Sequence, residues 1–570
     1  MNLQQYVKKS FLADFVAGIT GAVAGAPQAM GFAIIAGVSP IYGLYAAFIS
    51  TIVGALTTSS VFMTIGPTNA LVLVVFSTLG QFDDGDPIQR MITLTLLVGG
   101  FQLLFGVLRL GSLTRFVSNA VMTGFITGAG LLIIIGQVDH LTGFEEGASG
   151  NAIQRFLDWL VHLPQSDPES TVIGVIAVVM IYSLHHTRRF RSIATLIAII
   201  VTTVMVKALG WDHVALVKDI SEIPAGFPPF SLPDLSYAPS LLTAAFAMSL
   251  LASVQGAGLS ENISQPDGST PDINRDFIGS GLGNIIGSFF QSLPAGGSLS
   301  RTAVNISAGA RTRFANLFAG IMVGGVLLVF GSAIEQVTLA ALAGHLVVAA
   351  FSLIRVDQLK ALWRISFMSR VSMLVTLIAT LLLPLEYSIY LGVIVSSAIY
   401  VYTSASKIKM VRFVPTDNNR FREVPVPEYL PDNEVVVLSV SGHLFFAAMR
   451  QLDLLMPHIK PETRHPVIIL RLRDNTYLGN TGVRFLQKLH ATLKAHDGLL
   501  IILGLNDEIM GQLKRANMIP FLGEENLFFA NEVIFAALDN ALAHAEKWLA
   551  AKQAEDTPPE VTSEGTGGLH

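Results

Sequence analysis

Apolar stretches follow one another from about residue 13 to about residue 405, parted by short breaks rich in glycine, proline and polar residues. A helix needs roughly 20 mainly apolar residues to cross the hydrocarbon of a bilayer. Fourteen runs qualify as candidates, over roughly 13–37, 41–57, 67–80, 91–109, 116–138, 171–186, 192–209, 239–259, 276–292, 298–308, 315–334, 336–354, 371–384 and 386–405. The third and the tenth are too short to cross alone. Beyond them the pattern changes. Charge rises, and short apolar runs alternate with helical periods. Glu434–Gly442 reads as a strand into a turn, and Pro466–Leu472 and Leu499–Gly504 as buried parallel strands, with helical patterns between them. That is a βαβ-type sheet domain. The expected organisation is a transmembrane domain over 1–406, a basic, proline-rich linker over 407–433, an α/β domain over 434–552, and a disordered tail over 553–570.

Charge supports this division. Only 14% of the 570 residues are charged and 51% are hydrophobic, against about a quarter charged in a soluble domain. The mean hydropathy is +0.57. The N-terminus, with Lys8 and Lys9, lacks a cleavage site after a short apolar core and reads as a retained cytoplasmic end. Loops on that side then hold Arg109 and Arg115; Arg188, Arg189 and Arg191; Arg311 and Arg313; Arg355, Lys360, Arg364 and Arg370; and Lys407, Lys409 and Arg412. The opposite loops are poor in basic residues, which sets the orientation. An even number of spans puts both ends in the cytoplasm.

The two short runs carry the candidate chemistry. The third opens Thr64-Ile65-Gly66-Pro67-Thr68-Asn69, and proline suits a first helical turn. A helix that starts inside the bilayer aims unpaired N–H groups and a partial positive charge forward, which is an anion site. Taken alone, a proline kink in a continuous helix is the plainer alternative. The tenth run reads Leu293-Pro294-Ala295-Gly296-Gly297-Ser298-Leu299-Ser300-Arg301. Gly297 closes the break, serine hydroxyls serve a new helix start, and Arg301 falls in its first turn. A charge at membrane depth is by default functional. A structural ion pair is the alternative, although no acid lies near in the run. Two interrupted runs in corresponding halves point to inverted repeats with a site at the midplane.

These residues resemble the sulfate permease family, which includes the solute carrier family 26 of animals. The likeness rests on Leu12–Thr20, Ala26-Pro27-Gln28-Ala29-Met30-Gly31-Phe32-Ala33, Pro40-Ile41-Tyr42-Gly43-Leu44-Tyr45, Gly66-Pro67, Gly281-Leu282-Gly283-Asn284 and the run ending at Arg301. It implies a helical polytopic fold of seven-plus-seven inverted repeats, split into core and gate subdomains, with a cytoplasmic α/β STAS domain. It also implies substrate-binding positions at Gln28, Phe32, Gly66, Pro67, Thr68, Asn69, Gln255, Gly297, Ser300 and Arg301, with the guanidinium facing the anion. Gln255 stands where the family commonly has a carboxylate, so proton or sodium coupling through that position is weakened.

In the STAS domain, Gly479-Asn480-Thr481-Gly482 stands where the bacterial anti-sigma factor antagonists have an Asp-Ser-Ser-Gly turn with a phosphorylatable serine; Thr481 holds the hydroxyl position, but Gly479 replaces the aspartate. Thr481 is a candidate regulatory position, and a plain helix cap by Asn480 and Thr481 is the simpler reading.

The resulting expectation is a secondary active or facilitative transporter of a small anion in the plasma membrane, with alternating access. Sulfate or bicarbonate lead; chloride, nitrate and dicarboxylates follow. A nucleobase permease of the uracil/xanthine type and a passive anion channel are the alternatives. An enzyme is not expected: with no cysteine, and His140, His185 and His186 at span ends without ligand spacing, there is neither a thiol chemistry nor a metal constellation. No cofactor, metal or nucleic acid is expected. The expected partners are the anion, the lipid bilayer, a second copy of the chain, and a cytoplasmic regulator at the STAS domain.

Overall fold

A computed structural model describes residues 10–556, apart from 83, 145–151, 188–189, 191–192, 221–225, 264, 266, 407, 417–419, 443, 474, 476 and 534. Arg188, Arg189, Arg191 and Lys407 therefore lie outside the described residues, as does the tail beyond 556. The chain forms two units, 1–396 and 397–570.

The first unit holds spans 1 to 13 and the first part of span 14. In order they are span 1 Phe11–Ile35, span 2 Pro40–Thr57, span 3 Asn69–Leu79, span 4 Pro87–Val107, span 5 Asn119–Gly136, span 6 Pro168–His186 and span 7 Ala194–Leu209. The second set is span 8 Ala238–Asn262, span 9 Ile273–Ser288, span 10 Leu299–Ser307, span 11 Phe314–Glu335, span 12 Leu339–Leu353, span 13 Phe367–Leu382 and span 14 Leu385–Ser406. Short helices at Val138–Thr142 and Ala152–Val161 join spans 5 and 6, and Val356–Ile365 joins spans 12 and 13. None of these three helices was expected from the sequence.

Packing divides the spans into two groups. Spans 1, 2, 4, 8, 9 and 11 pack on one another around spans 3 and 10 and form the core. Spans 5, 6, 7, 12, 13 and 14 form the gate. Close helix approach in the core depends on small residues. A Cβ on Gly43 would run into the Ala29 carbonyl, so glycine is required there to seat span 2 on span 1.

Two buried carboxylates tie loops to helices. Asp276 Oδ1 accepts from the N–H groups of Ser59 and Ser60 at 2.7 and 2.9 Å, and Oδ2 from the hydroxyls of Ser60 and Ser260 at 2.5 and 2.7 Å. Asp14 does the same for the loop after span 10, accepting from Arg311 N–H at 2.7 Å and Thr312 N–H at 3.0 Å. Several donors per carboxylate offset the cost of burying the charge.

The second unit is an α/β domain with a six-stranded sheet. After the two-residue strands β1 Ile65–Gly66 and β2 Gly296–Gly297 of the first unit, the strands of this sheet are β3 Lys409–Thr416, β4 Arg420–Val424, β5 Val435–Ser441, β6 Val467–Arg471, β7 Leu499–Leu505 and β8 Leu527–Phe529, in the order β4-β3-β5-β6-β7-β8. β5 to β8 are parallel; β3 is antiparallel to β4 and β5. Val436, Leu438 and Ile468 face a layer of helices that includes Gly479–Lys494, while Val437, Ile469 and Ile501 face the helix Ala536–Asp556. Both faces are covered, which is why these strands read as unbroken apolar runs. Lys409–Thr416 and Arg420–Val424, expected within a linker, are strands of this sheet, because Met410 and Phe413 bury against it. The final helix reaches Asp556, four residues past the expected end of the domain at 552.

Candidate functional site

Span 3 starts within the membrane because Gly66 and Pro67 interrupt the chain before it. Ile65–Gly66 forms β1 and Gly296–Gly297 forms β2, and the two pair antiparallel, Ile65 opposite Gly297. Two half-helices leave this ribbon in opposite directions, so their N-termini point towards each other. The continuous, proline-kinked helix is not what forms. The sequence dictates this locally: glycines and prolines at both breaks favour extended backbone, and the ribbon pairs carbonyl and N–H groups that water cannot reach.

Side chains lock the ribbon. Asn284 Nδ2 donates to Gln102 Oε1 at 2.7 Å and to the Ala295 carbonyl at 2.8 Å, while its Oδ1 accepts from Ala295 N–H at 2.7 Å. Thr64 N–H donates to Thr302 Oγ1 at 3.0 Å, and Thr64 Oγ1 donates to Asn316 Oδ1 at 2.6 Å. Gln102, Thr302 and Asn316 are braces of the candidate site that the sequence did not single out. They sit in three separate spans, and only the fold joins them.

The helix starts differ. Ser298 caps span 10, accepting from Arg301 N–H at 3.5 Å. Thr68, the extended N-cap of span 3, makes no capping bond to its own helix. Its hydroxyl donates instead to Gln255 Oε1 at 3.4 Å. Gln28 Nε2 donates to Ser300 Oγ at 3.1 Å. Contacts thus pair Gln28 of span 1 with Ser300 of span 10, and Thr68 before span 3 with Gln255 of span 8, with Asn69 following Thr68 and the backbone of Gly66, Pro67 and Gly297 forming the two breaks. Ser300 is exposed and Gln28, Asn69 and Gln255 are half-buried.

Two expected residues stand apart from this group. Phe32 is only 1% exposed and lies in the main apolar cluster. The Arg301 guanidinium does not face the space between the helix starts. It lies against Gly66, where a Cβ would collide with it, and Nη2 donates to the Pro67 carbonyl at 2.6 Å. The adjoining cavity is lined by Gly21, Gly25, Thr51, Thr64, Asn305 and Asn316, from spans 1, 2, 10 and 11 and the segment before span 3. Among the described residues no carboxylate pairs with Arg301, and its Nε has no partner.

The electrostatic consequence is one sign of charge. Each helix start carries about half a positive charge, and Arg301 adds a full one directly behind the ribbon. The groups in front are neutral hydroxyls and amides that donate hydrogen bonds. Positive charge faced by neutral donors is the electrostatic arrangement that suits an anion.

An apolar cavity lined by Val117, Val121, Phe125, Leu251, Val254 and Ile389 lies between core span 8 and gate spans 5 and 14. At the end of span 3 and the start of span 14 core and gate meet. Gln81 Nε2 donates to Glu386 Oε1 at 2.7 Å, Leu385 N–H to Ser77 Oγ at 3.3 Å, and Tyr390 OH to the Thr243 carbonyl at 2.7 Å.

Comparison with known proteins agrees with this geometry. The model of the sulfate permease family matches residues 11–376, and that of the STAS domain matches 427–536. The chain belongs to the sulfate permease family. Among curated relatives of this permease, Sulfate transporter 4.1, chloroplastic, of Arabidopsis thaliana is 28% identical over 91% of the chain and 78% of the relative. The putative sulfate transporter YvdB of Bacillus subtilis is 26% identical over 92% of the chain and 97% of the relative. In fold the permease is similar to murine Slc26a9, an anion transporter solved in the inward-facing state, with a TM-score of 0.84, 19% identity, and coverage of 96% and 93% of the two chains. The transmembrane domain of a cyanobacterial bicarbonate transporter, BicA, gives 0.58 at 22% identity, covering 70% and 98%. Fourteen spans as inverted repeats with a STAS domain, and transport of a small anion, are therefore properties of this permease. The nucleobase alternative is not favoured.

In its STAS domain, Thr481 is exposed in the first turn of Gly479–Lys494. The cap comes from elsewhere in the fold: Gln512 Oε1 accepts from the N–H groups of Leu478 and Gly479 at 3.1 and 2.9 Å. The expected cap by Asn480 and Thr481 is replaced by one from a neighbouring helix.

Proposed function

We propose that this permease moves sulfate or bicarbonate, by exchange or facilitated passage, through alternating access of core against gate. Chloride, nitrate and dicarboxylates are the next cargoes to test. The observation that carries the reading is the meeting of two helix N-termini with Gln28, Thr68, Asn69, Gln255 and Ser300 as neutral donors. The printed names of its relatives, sulfate transporters and a bicarbonate transporter, support the cargo class. Gln255 supports the coupling mode. Its amide takes up no proton at neutral pH and carries no negative charge to attract a sodium ion, and it already accepts from Thr68.

The same reading places the chain in the plasma membrane with both ends cytoplasmic, on the strength of the basic loops. It makes the protein a homodimer, a non-enzyme, and a target for a cytoplasmic regulator at the STAS domain, with Thr481 as the exposed hydroxyl such a regulator would modify.

The decisive experiment is uptake of labelled sulfate and labelled bicarbonate into proteoliposomes under imposed proton, sodium and chloride gradients in turn. Saturable counterflow of one anion, insensitive to proton and sodium gradients, is the expected result. Uptake driven by a proton or sodium gradient would overturn the coupling reading, and flux of neither anion would overturn the cargo.

A further inference from the structure

The helix Val356–Ile365 between gate spans 12 and 13 is amphipathic and plays no part in the anion site. Leu362 is buried with Ala120 of span 5 and Met373 of span 13, and Leu359 packs beside them. The rest of its apolar surface is uncovered. Trp363 is 50% exposed, and Val356, Ile365 and the adjacent Phe367 are exposed as well.

Charge surrounds this apolar surface. Arg355, Lys360 and Arg364 are exposed, and Asp357 is the one acid between residues 355 and 370. Among the described residues no ion pair holds Arg355, Lys360, Arg364 or Arg370. The Arg370 guanidinium carbon sits 5.8 Å from the ring centroids of both Trp363 and Phe367, and its buried Nε has no hydrogen-bond partner.

We propose that this helix is a docking surface for anionic phospholipid headgroups. A short helix with aromatic and aliphatic side chains on one arc and basic ones beside it lies in a membrane interface, its apolar arc among the acyl chains. Uncovered Trp and Phe fit the headgroup level. Basic side chains at that level are drawn to anionic lipid. Arg370, beside the Trp363 and Phe367 rings, adds a further cation next to this surface. A soluble phosphate would satisfy the cations and leave the apolar arc in water; a phospholipid satisfies both. Because the helix joins two gate spans, its anchorage holds the gate against the leaflet while the core moves.

The test uses full-length protein in phosphatidylcholine vesicles containing brominated phosphatidylglycerol or brominated phosphatidylcholine. The signal is the quenching lost on Trp363→Phe. Brominated phosphatidylglycerol should quench Trp363 at least twofold more than brominated phosphatidylcholine. The double variant Lys360→Gln/Arg364→Gln, both sites exposed, should lose most of that preference, as should high salt. Equal quenching by the two lipids, no quenching by either, or a preference unchanged in the double variant would overturn the proposal. Competition by inorganic phosphate would reassign the site to a soluble anion. Anion uptake in the same vesicles separates this proposal from the cargo reading, on which it does not rest.

Discussion

Arg301 exerts its charge on the site from behind, and that alters what its replacement should do. Its Nη2 is bonded to the Pro67 carbonyl, so Arg301→Ala removes a positive charge and also strands a buried acceptor, which costs about 1–3 kcal/mol. The expected outcome is a permease that binds anion at least tenfold more weakly and melts earlier, read by anion titration and thermal unfolding. Ser300→Ala is the contrasting case. Its hydroxyl is exposed and bonds only neighbouring side chains, so affinity should fall about fivefold, the worth of one hydrogen bond of about 1 kcal/mol, with the melting temperature unchanged. Equal loss of stability in both variants would refute the distinction. Gln255→Glu places a carboxylate beside the Thr68 hydroxyl. Uptake should then rise as pH falls, where the wild type responds little, since protonation removes a charge that repels the anion. A flat pH profile in that variant would remove Gln255 from the site.

At the scale of elements, the ribbon and its braces decide whether two half-helices exist at all. Two residues per strand cannot hold themselves together; Asn284, Thr64 and Asn316 carry the arrangement. Asp276 does comparable work for the loop that leads into β1. Asp276→Ala leaves several buried serine donors without their acceptor and should cost about 3 kcal/mol or more, seen as a large drop in melting temperature. Retention of wild-type stability would show that the loop is held by other contacts. The half-helices were legible in the sequence because Gly, Pro and Ser mark breaks locally. The braces were not: Asn284 was legible only as part of a family motif, and Gln102 and Asn316 are ordinary polar residues of apolar runs until the fold brings them to the ribbon. The strands β3 and β4 were missed for the opposite reason. Their charged and proline-bearing sequence looks like a linker, and only pairing with β5 makes them a sheet edge.

For the whole molecule, the contacts between core and gate near Glu386 define a closed end. Ser77, Gln81 and Thr243 of the core and its adjoining loop meet Leu385, Glu386 and Tyr390 of span 14 there. Alternating access requires these contacts to part on each cycle. The chain has no cysteine, so the pair Gln81→Cys and Glu386→Cys can be cross-linked without other targets. A short bismaleimide should abolish uptake by the double variant and spare each single one. Unimpaired uptake after complete cross-linking would show that this end does not open during transport.

The sequence by itself determined the membrane nature of the chain, the two broken spans, the α/β character of the second domain and the family resemblance. Each of these is written in local signals: runs of apolar residues long enough for a bilayer, breakers at fixed places, and strands apolar on both faces. The tertiary structure alone decided which way Arg301 points, that Phe32 is buried in the apolar cluster, that Gln512 caps the Thr481 helix, and how Asn284 and Asp276 close their loops. Those outcomes depend on partners tens to hundreds of residues distant, and a side chain's direction is set by the space and hydrogen-bond partners the packed fold leaves to it.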